Sequence, residues 1–229
     1  EAILNKLKEF NELEVDMIEL RIDFYENIHQ EDALRNLFLN IAALQIQKPV
    51  ILTIRTAAEG GKVEIDPKDY FNVYKLAVEA NAFDIYDVEL ALGTNMAIEL
   101  RTLIHDAGKY MLMSSHNFDR TPEVDSLMQK FRSMDSLEAD IMKVAVMPED
   151  YQDLLNLLLF TVQAKHEYAQ KPIVTMSMSS IGLTSRLVGE QFGSAITFAT
   201  VGKASAPGQI DYQELNQMLD IIHKNIQEA

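Results

Sequence analysis

The residue in this sequence best placed to do covalent chemistry is Lys143, the single lysine in the middle of the apolar run ADIMKVAVMP, Ala139 to Pro148. Alternation with a period of two puts Ile141, Lys143 and Ala145 on one face of a strand and Met142, Val144 and Val146 on the other. Both faces are apolar, so the strand is buried, and its lysine either snorkels to solvent along its stem or loses its charge. An amine that is neutral near pH 7 is a nucleophile. Lowering its pKa from about 10.4 to roughly 7 to 8 destabilises the charged form by about 4 kcal/mol, which burial plus a cationic neighbour can supply. The chemistry expected of such a lysine is a Schiff base. His116 could then move protons, the carboxylate of Glu59 could orient its ring, and arginines could hold an anion. Glu19, Arg21, Arg55, Arg186, Ser205 and Gln209 complete the inventory. Plainer readings stand beside these: His116 as a satisfied structural histidine, Arg21 in a rim ion-pair network with Glu19 and Asp23, and Arg186 as a solvated helix residue. Met176 and Met178 share a strand face and could simply fill a core.

The elements that must position these residues alternate along the chain. An amphipathic helix over Ile3 to Leu13 comes first, and the strand VDMIELRID (Val15 to Asp23) follows with charge on one face near its C-terminal end. A helix over Glu31 to Gln47 leads past Pro49 to the strand VILTIRT (Val50 to Thr56), which ends at Arg55. The loop Ala57 to Asp66 carries Glu59 and a Gly-Gly turn. Helix Tyr70 to Asn81 precedes strand Phe83 to Leu90, with Asp87 and Glu89 late in it. Helix Asn95 to Asp106 leads to strand Tyr110 to His116, where Leu112, Ser114 and His116 share a face. Helix Pro122 to Met134 precedes the lysine strand. Pro148 fits the first turn of a long helix to Tyr168. Pro172 opens a strand, Ser185 to Phe192 forms a short helix, Ala195 to Thr200 a last strand, 202–209 a loop, and Tyr212 to Ile226 the closing helix.

Strict βα alternation implies parallel strands and right-handed crossovers, in an open doubly wound sheet or a closed (β/α)8 barrel. Polar residues recur near the C-terminal end of nearly every strand, where barrels build their active sites, whereas a doubly wound sheet gathers them at one switch point. The barrel is the expectation, with residues 1–229 as a single catalytic domain. The absence of GxGxxG and Walker-type loops counts against nucleotide folds. The formal charge of −15 argues against nucleic acid or an anionic membrane as main partner. No apolar run approaches the roughly 18 residues of a membrane span. With no cysteine there is no disulfide and no thiolate metal site, in keeping with the cytoplasm.

Several stretches together resemble type I 3-dehydroquinate dehydratase: ELRID (Glu19 to Asp23), TIRT (Thr53 to Thr56) with EGG (Glu59 to Gly61), SSHNF (Ser114 to Phe118), KVAVMP (Lys143 to Pro148), TMSM (Thr175 to Met178), SRLVGEQFGSAITF (Ser185 to Phe198) and ASAPGQI (Ala204 to Ile210). They occur in family order, from about Glu14 onward. The resemblance implies a (β/α)8 barrel, usually a homodimer, without metal or cofactor, acting on the small molecule 3-dehydroquinate in the shikimate pathway. It implies that Lys143 forms the imine with the C3 ketone, that His116 takes the C2 proton and then helps the C1 hydroxyl leave, and that Glu59 orients His116. Arg186 is expected to bind the substrate carboxylate. Glu19, Arg21, Arg55, Ser205 and Gln209 are expected to bind ring hydroxyls or shape the pocket, the last two on a loop that could close over it. In that family a first strand precedes the helix at which this sequence opens, so the barrel is expected to be N-terminally incomplete here. The competing functions are another Schiff-base barrel enzyme of the class I aldolase kind, and a barrel that binds a metabolite without catalysis.

Overall fold

Capping residues mark where the helices begin. Asp66 accepts the Asp69 amide at 2.9 Å with Pro67 in the first turn, and Asp150 accepts the Asp153 amide at 3.1 Å, so each helix satisfies one of its orphan donors from its own sequence. In the computed structural model, residues 1–202 and 208–227 are described. They form α1 (Ala2–Asn11), β1 (Ile18–Arg21), α2 (Glu31–Ala42), β2 (Val50–Thr53), α3 (Pro67–Glu79), β3 (Ile85–Glu89), α4 (Thr94–Asp106), β4 (Tyr110–Asn117), α5 (Val124–Ser136), β5 (Ile141–Val146), α6 (Tyr151–Glu167), β6 (Ile173–Ser177), α7 (Leu183–Leu187), α8 (Gly189–Phe192) and α9 (Tyr212–Gln227). The strands follow one another in chain order, β1-β2-β3-β4-β5-β6, and β1 with β2, β2 with β3, and β5 with β6 are parallel. This is the α/β alternation expected. None of the described helices is long and apolar enough to cross a membrane.

The chain divides into two compact units, Glu1–Met113 with Leu137–Ala139, and Ser114–Ser136 with Asp140–Ala229. In the first, the register pairs Leu20 with Leu52 and Leu52 with Tyr86, so these residues share the face that helices cover. Tyr86 lies 5.7 Å from the Tyr74 ring of α3, and Phe83 meets Phe38 of α2 edge-on at 5.4 Å. Each fully buried side chain of this kind contributes roughly 1.5 to 3 kcal/mol. The other face carries Glu19, Arg21, Thr53 and Asp87. In the second unit, β5 and β6 pair Val144 with Thr175 on the helix side, where the hydroxyls of Thr175 and of Thr161 in α6 meet at 2.7 Å. Phe131 of α5 and Phe160 of α6 pack edge-on at 4.9 Å.

Three expectations are corrected. Pro148 lies ahead of α6 rather than in its first turn, because Asp150 takes the cap. The helix expected over Ser185 to Phe192 is broken at Val188, before the weak helix former Gly189, into α7 and α8. The strand expected over Ala195 to Thr200 is reduced to single bridges, Ser194 with Ile173 and Thr200 with Asp211. The Ser194 hydroxyl itself accepts the Thr175 amide at 3.0 Å, taking the place of a backbone ladder partner.

Candidate active site

Lys143 is the third residue of β5, and all six residues of that strand are buried. With 4% of its surface exposed, it does not snorkel to solvent. The register pairs Lys143 with Val174 and Ala145 with Met176, so lysine and methionine share the face opposite the α6 packing. The ammonium nitrogen lies 4.4 Å from the centroid of the Phe198 ring, a cation–π distance. Phe198 was not among the sequence candidates. Its sequence signals were its place at the end of the stretch SRLVGEQFGSAITF and its being an aromatic near the end of the last extended segment.

Arg186 is 2% exposed, which excludes the solvated-helix reading, and its Nη1 lies 3.7 Å from the Met176 sulfur. Burial disfavours the charge and pulls the guanidinium below its ordinary pKa. It sits in the last turn of α7, not at a helix start. The preceding residue ties that turn to the end of β6, because the Ser185 hydroxyl accepts the Ser177 amide at 2.9 Å and donates to the Gly182 carbonyl at 2.7 Å. His116 is half-buried near the C-terminal end of β4, the strand next to β5, on the face it shares with Leu112 and Ser114. The opposite face of β4 carries Ser115, whose hydroxyl accepts from Lys130 of α5 at 3.0 Å. Lysine and histidine are therefore carried on neighbouring strands. Gln209 is half-buried beside Gly208, and Ser205 lies outside the described residues.

In the first unit the polar face of β1 to β3 gathers two guanidiniums, Arg21 and Arg55, and several carboxylates. Arg55 Nη1 donates to Glu89 at 2.8 Å and lies 3.5 Å from Glu59, while Nη2 donates to Asp87 at 2.8 Å. Burial pulls the Arg55 pKa down, but Asp87, Glu89, Glu59 and Glu19 outweigh it and hold the group far above its ordinary value. Glu19 accepts from the Thr53 hydroxyl at 2.8 Å on the adjacent strand. Glu59 is buried in a short 3-10 turn, Ala57–Glu59. Gly60 leaves that turn at φ +79°, and Gly61 packs so closely on Arg55 that a Cβ would lie 1.8 Å from its carbonyl oxygen. Both glycines of the EGG stretch are thus required by geometry. Arg21 forms a two-pronged pair with Asp23, at 2.7 and 2.8 Å, and Asp23 also accepts the Arg55 and Lys62 amides. The ion-pair network with Asp23 is thereby realised.

A buried lysine, an aromatic ring on its amine and a buried arginine in one unit suit an imine enzyme acting on an anion. A sequence model of the family described as type I 3-dehydroquinase matches residues 1–226. A 3-dehydroquinate dehydratase of Bacillus subtilis is 41% identical over 223 residues, 97% of this chain and 88% of that protein. One from Escherichia coli is 37% identical over 215 residues, 94% and 85% of the two chains. The solved type I 3-dehydroquinate dehydratase of Clostridium difficile, with covalently modified comenic acid, matches with a TM-score of 0.93 at 36% identity, covering 97% of this chain and 88% of that one. Such agreement along nearly the whole length confirms the α/β barrel class, and this chain belongs to the type I 3-dehydroquinase family.

Proposed function

We propose that Lys143 carries the dehydration of 3-dehydroquinate to 3-dehydroshikimate as a Schiff base, with His116 as the proton carrier. The deprotonated amine adds to the C3 carbonyl, and the carbinolamine loses water to give a protonated imine. This electron sink acidifies C2, and His116 takes a C2 proton to leave an enamine. The enamine expels the C1 hydroxyl, which leaves as water with the proton from His116. Water then hydrolyses the conjugated imine, releasing product and Lys143. Two waters leave and one enters, so one is released per turnover.

Arg186 binds the substrate carboxylate through its planar fork, and the low polarity around it strengthens that pair. Glu59 orients His116 and stabilises its charged form. Glu19, Arg21, Arg55, Ser205 and Gln209 bind ring hydroxyls or shape the pocket. The observation that carries this reading is Lys143, buried on the face of Met176, under Phe198 and in the same unit as Arg186. The test is borohydride reduction in the presence of 3-dehydroquinate, followed by peptide mass spectrometry. A reduced adduct on Lys143 is expected, and its absence during turnover would overturn the imine.

We also read residues 1–229 as one catalytic domain, working in the cytoplasm as a homodimer. The absence of cysteine supports the compartment. A stripe along α6 supports the dimer: Tyr151, Leu155, Leu159 and Val162 are each between 47% and 72% exposed. With the two-fold axis perpendicular to α6 the two copies run antiparallel, and the acidic start, Asp150 and Asp153, meets the basic end, Lys165 and His166.

A further inference from the structure

Glu89 ends β3 and is 1% exposed. Its carboxylate is tied on both oxygens. Oε1 accepts from Arg55 Nη1 at 2.8 Å and from the Thr56 amide at 2.9 Å, and Oε2 accepts from the Thr56 hydroxyl at 2.7 Å. Both partners lead to Glu59. Thr56 caps the 3-10 turn that carries Glu59, and its carbonyl accepts the Glu59 amide at 3.0 Å and the Gly61 amide at 2.8 Å. The Arg55 nitrogen that Glu89 holds is the one 3.5 Å from Glu59 Oε2. A buried carboxylate with three donors is a rigid anchor, because moving any partner leaves charge or an amide unsatisfied.

We propose that Glu89 is a positioning residue for the dehydration, setting the place of the Glu59 carboxylate through Thr56 and Arg55. This rests on the reading of Glu59 as the group that orients His116. Two substitutions separate geometry from removal. Glutamine keeps the shape: its oxygen still accepts from Arg55 and the Thr56 amide, and its NH2 donates to the Thr56 hydroxyl, whose own hydrogen swings away. Alanine loses all three hydrogen bonds.

The test is the pH dependence of kcat in Glu59→Ala, Glu89→Ala, Glu89→Gln and the double variant Glu59→Ala with Glu89→Ala. A carboxylate beside an imidazole raises its pKa, so displacing the carboxylate moves the acid limb to lower pH. Glu59→Ala is expected to move that limb down by about half a unit or more. Glu89→Ala reproduces the move, Glu89→Gln stays with the wild type, and the double variant moves no further than Glu59→Ala alone. If Glu59→Ala moves the limb but Glu89→Ala does not, or if the two shifts add, the inference is overturned and the Glu59 reading stands. If Glu59→Ala leaves the limb in place, the Glu59 reading fails and the inference fails with it. Thr56→Val removes only the hydroxyl bond and should move the limb in the same direction by less. Should circular dichroism show Glu89→Ala unfolded, this variant decides: no move overturns the inference.

Discussion

Three side chains divide the proposed chemistry in ways that kinetics can separate. Lys143→Ala should keep the far-ultraviolet circular dichroism of the wild type, lose turnover and lose the borohydride adduct; retained activity would rule out the imine. His116→Ala should still trap substrate on Lys143 but turn over very slowly, since the amine is intact and the proton carrier is not. Arg186→Ala should act mainly on KM. A charge-assisted fork lost from a buried site is worth about 3 kcal/mol, so kcat/KM should fall about a hundredfold. An unchanged KM would refute the carboxylate assignment. Arg55 differs from Arg186 although both are buried arginines. Arg55 is set among Asp87, Glu89 and Glu59, whereas the Nη1 of Arg186 lies 3.7 Å from the Met176 sulfur, so the two guanidiniums sit in different surroundings.

Among the elements, β3 joins the polar face to the helix layer and makes two opposite demands on stability. Tyr86 lies on the helix side, and its buried hydroxyl has no hydrogen-bond partner among the described residues. Tyr86→Phe should therefore leave kinetics unchanged and raise stability by up to about 1 kcal/mol, read from the urea midpoint. Tyr70 and Tyr74 of α3 instead donate to the Asp87 carbonyl. Burial raises the pKa of Tyr70, Tyr74 and Tyr86 above the ordinary phenol value. The unfolded chain ionises its phenols near pH 10 while the folded chain keeps them protonated. Their contribution is thus fully present below about pH 10 and is lost as pH rises through the raised folded values. Urea midpoints should fall steeply above that pH, and less steeply in Tyr70→Phe.

At the scale of the molecule, the apolar stripe of α6 is the surface on which the dimer proposal can be tested. Leu155→Glu with Leu159→Glu places carboxylates in the middle of the stripe. Sedimentation should shift from dimer to monomer while the borohydride adduct on Lys143 persists. A wild-type profile for this variant would remove α6 from the interface. The net charge of −15 makes copies repel one another on the whole, so the proposed dimer relies on local contacts such as this stripe.

Much of the fold was legible because it rests on local rules. Alternation marked β5 as buried on both faces, helix periods marked the layer around it, and seven motifs in order carried the family. Lys143, His116, Glu59 and Arg186 could be named because their types suit the chemistry and their motifs surround them. The segment after Ser194 alternates like a strand but makes only single bridges, because the Ser194 hydroxyl takes the Thr175 amide and the backbone bonds beside it are isolated. Phe198 and Glu89 were passed over for a related reason. Residue type and spacing determined which groups could react, since both are local properties of the chain. Only the tertiary structure decided that Phe198 lies on the Lys143 amine and that Glu89 anchors Thr56 and Arg55, because those distances depend on how segments far apart in sequence are brought together by strand register and turn geometry.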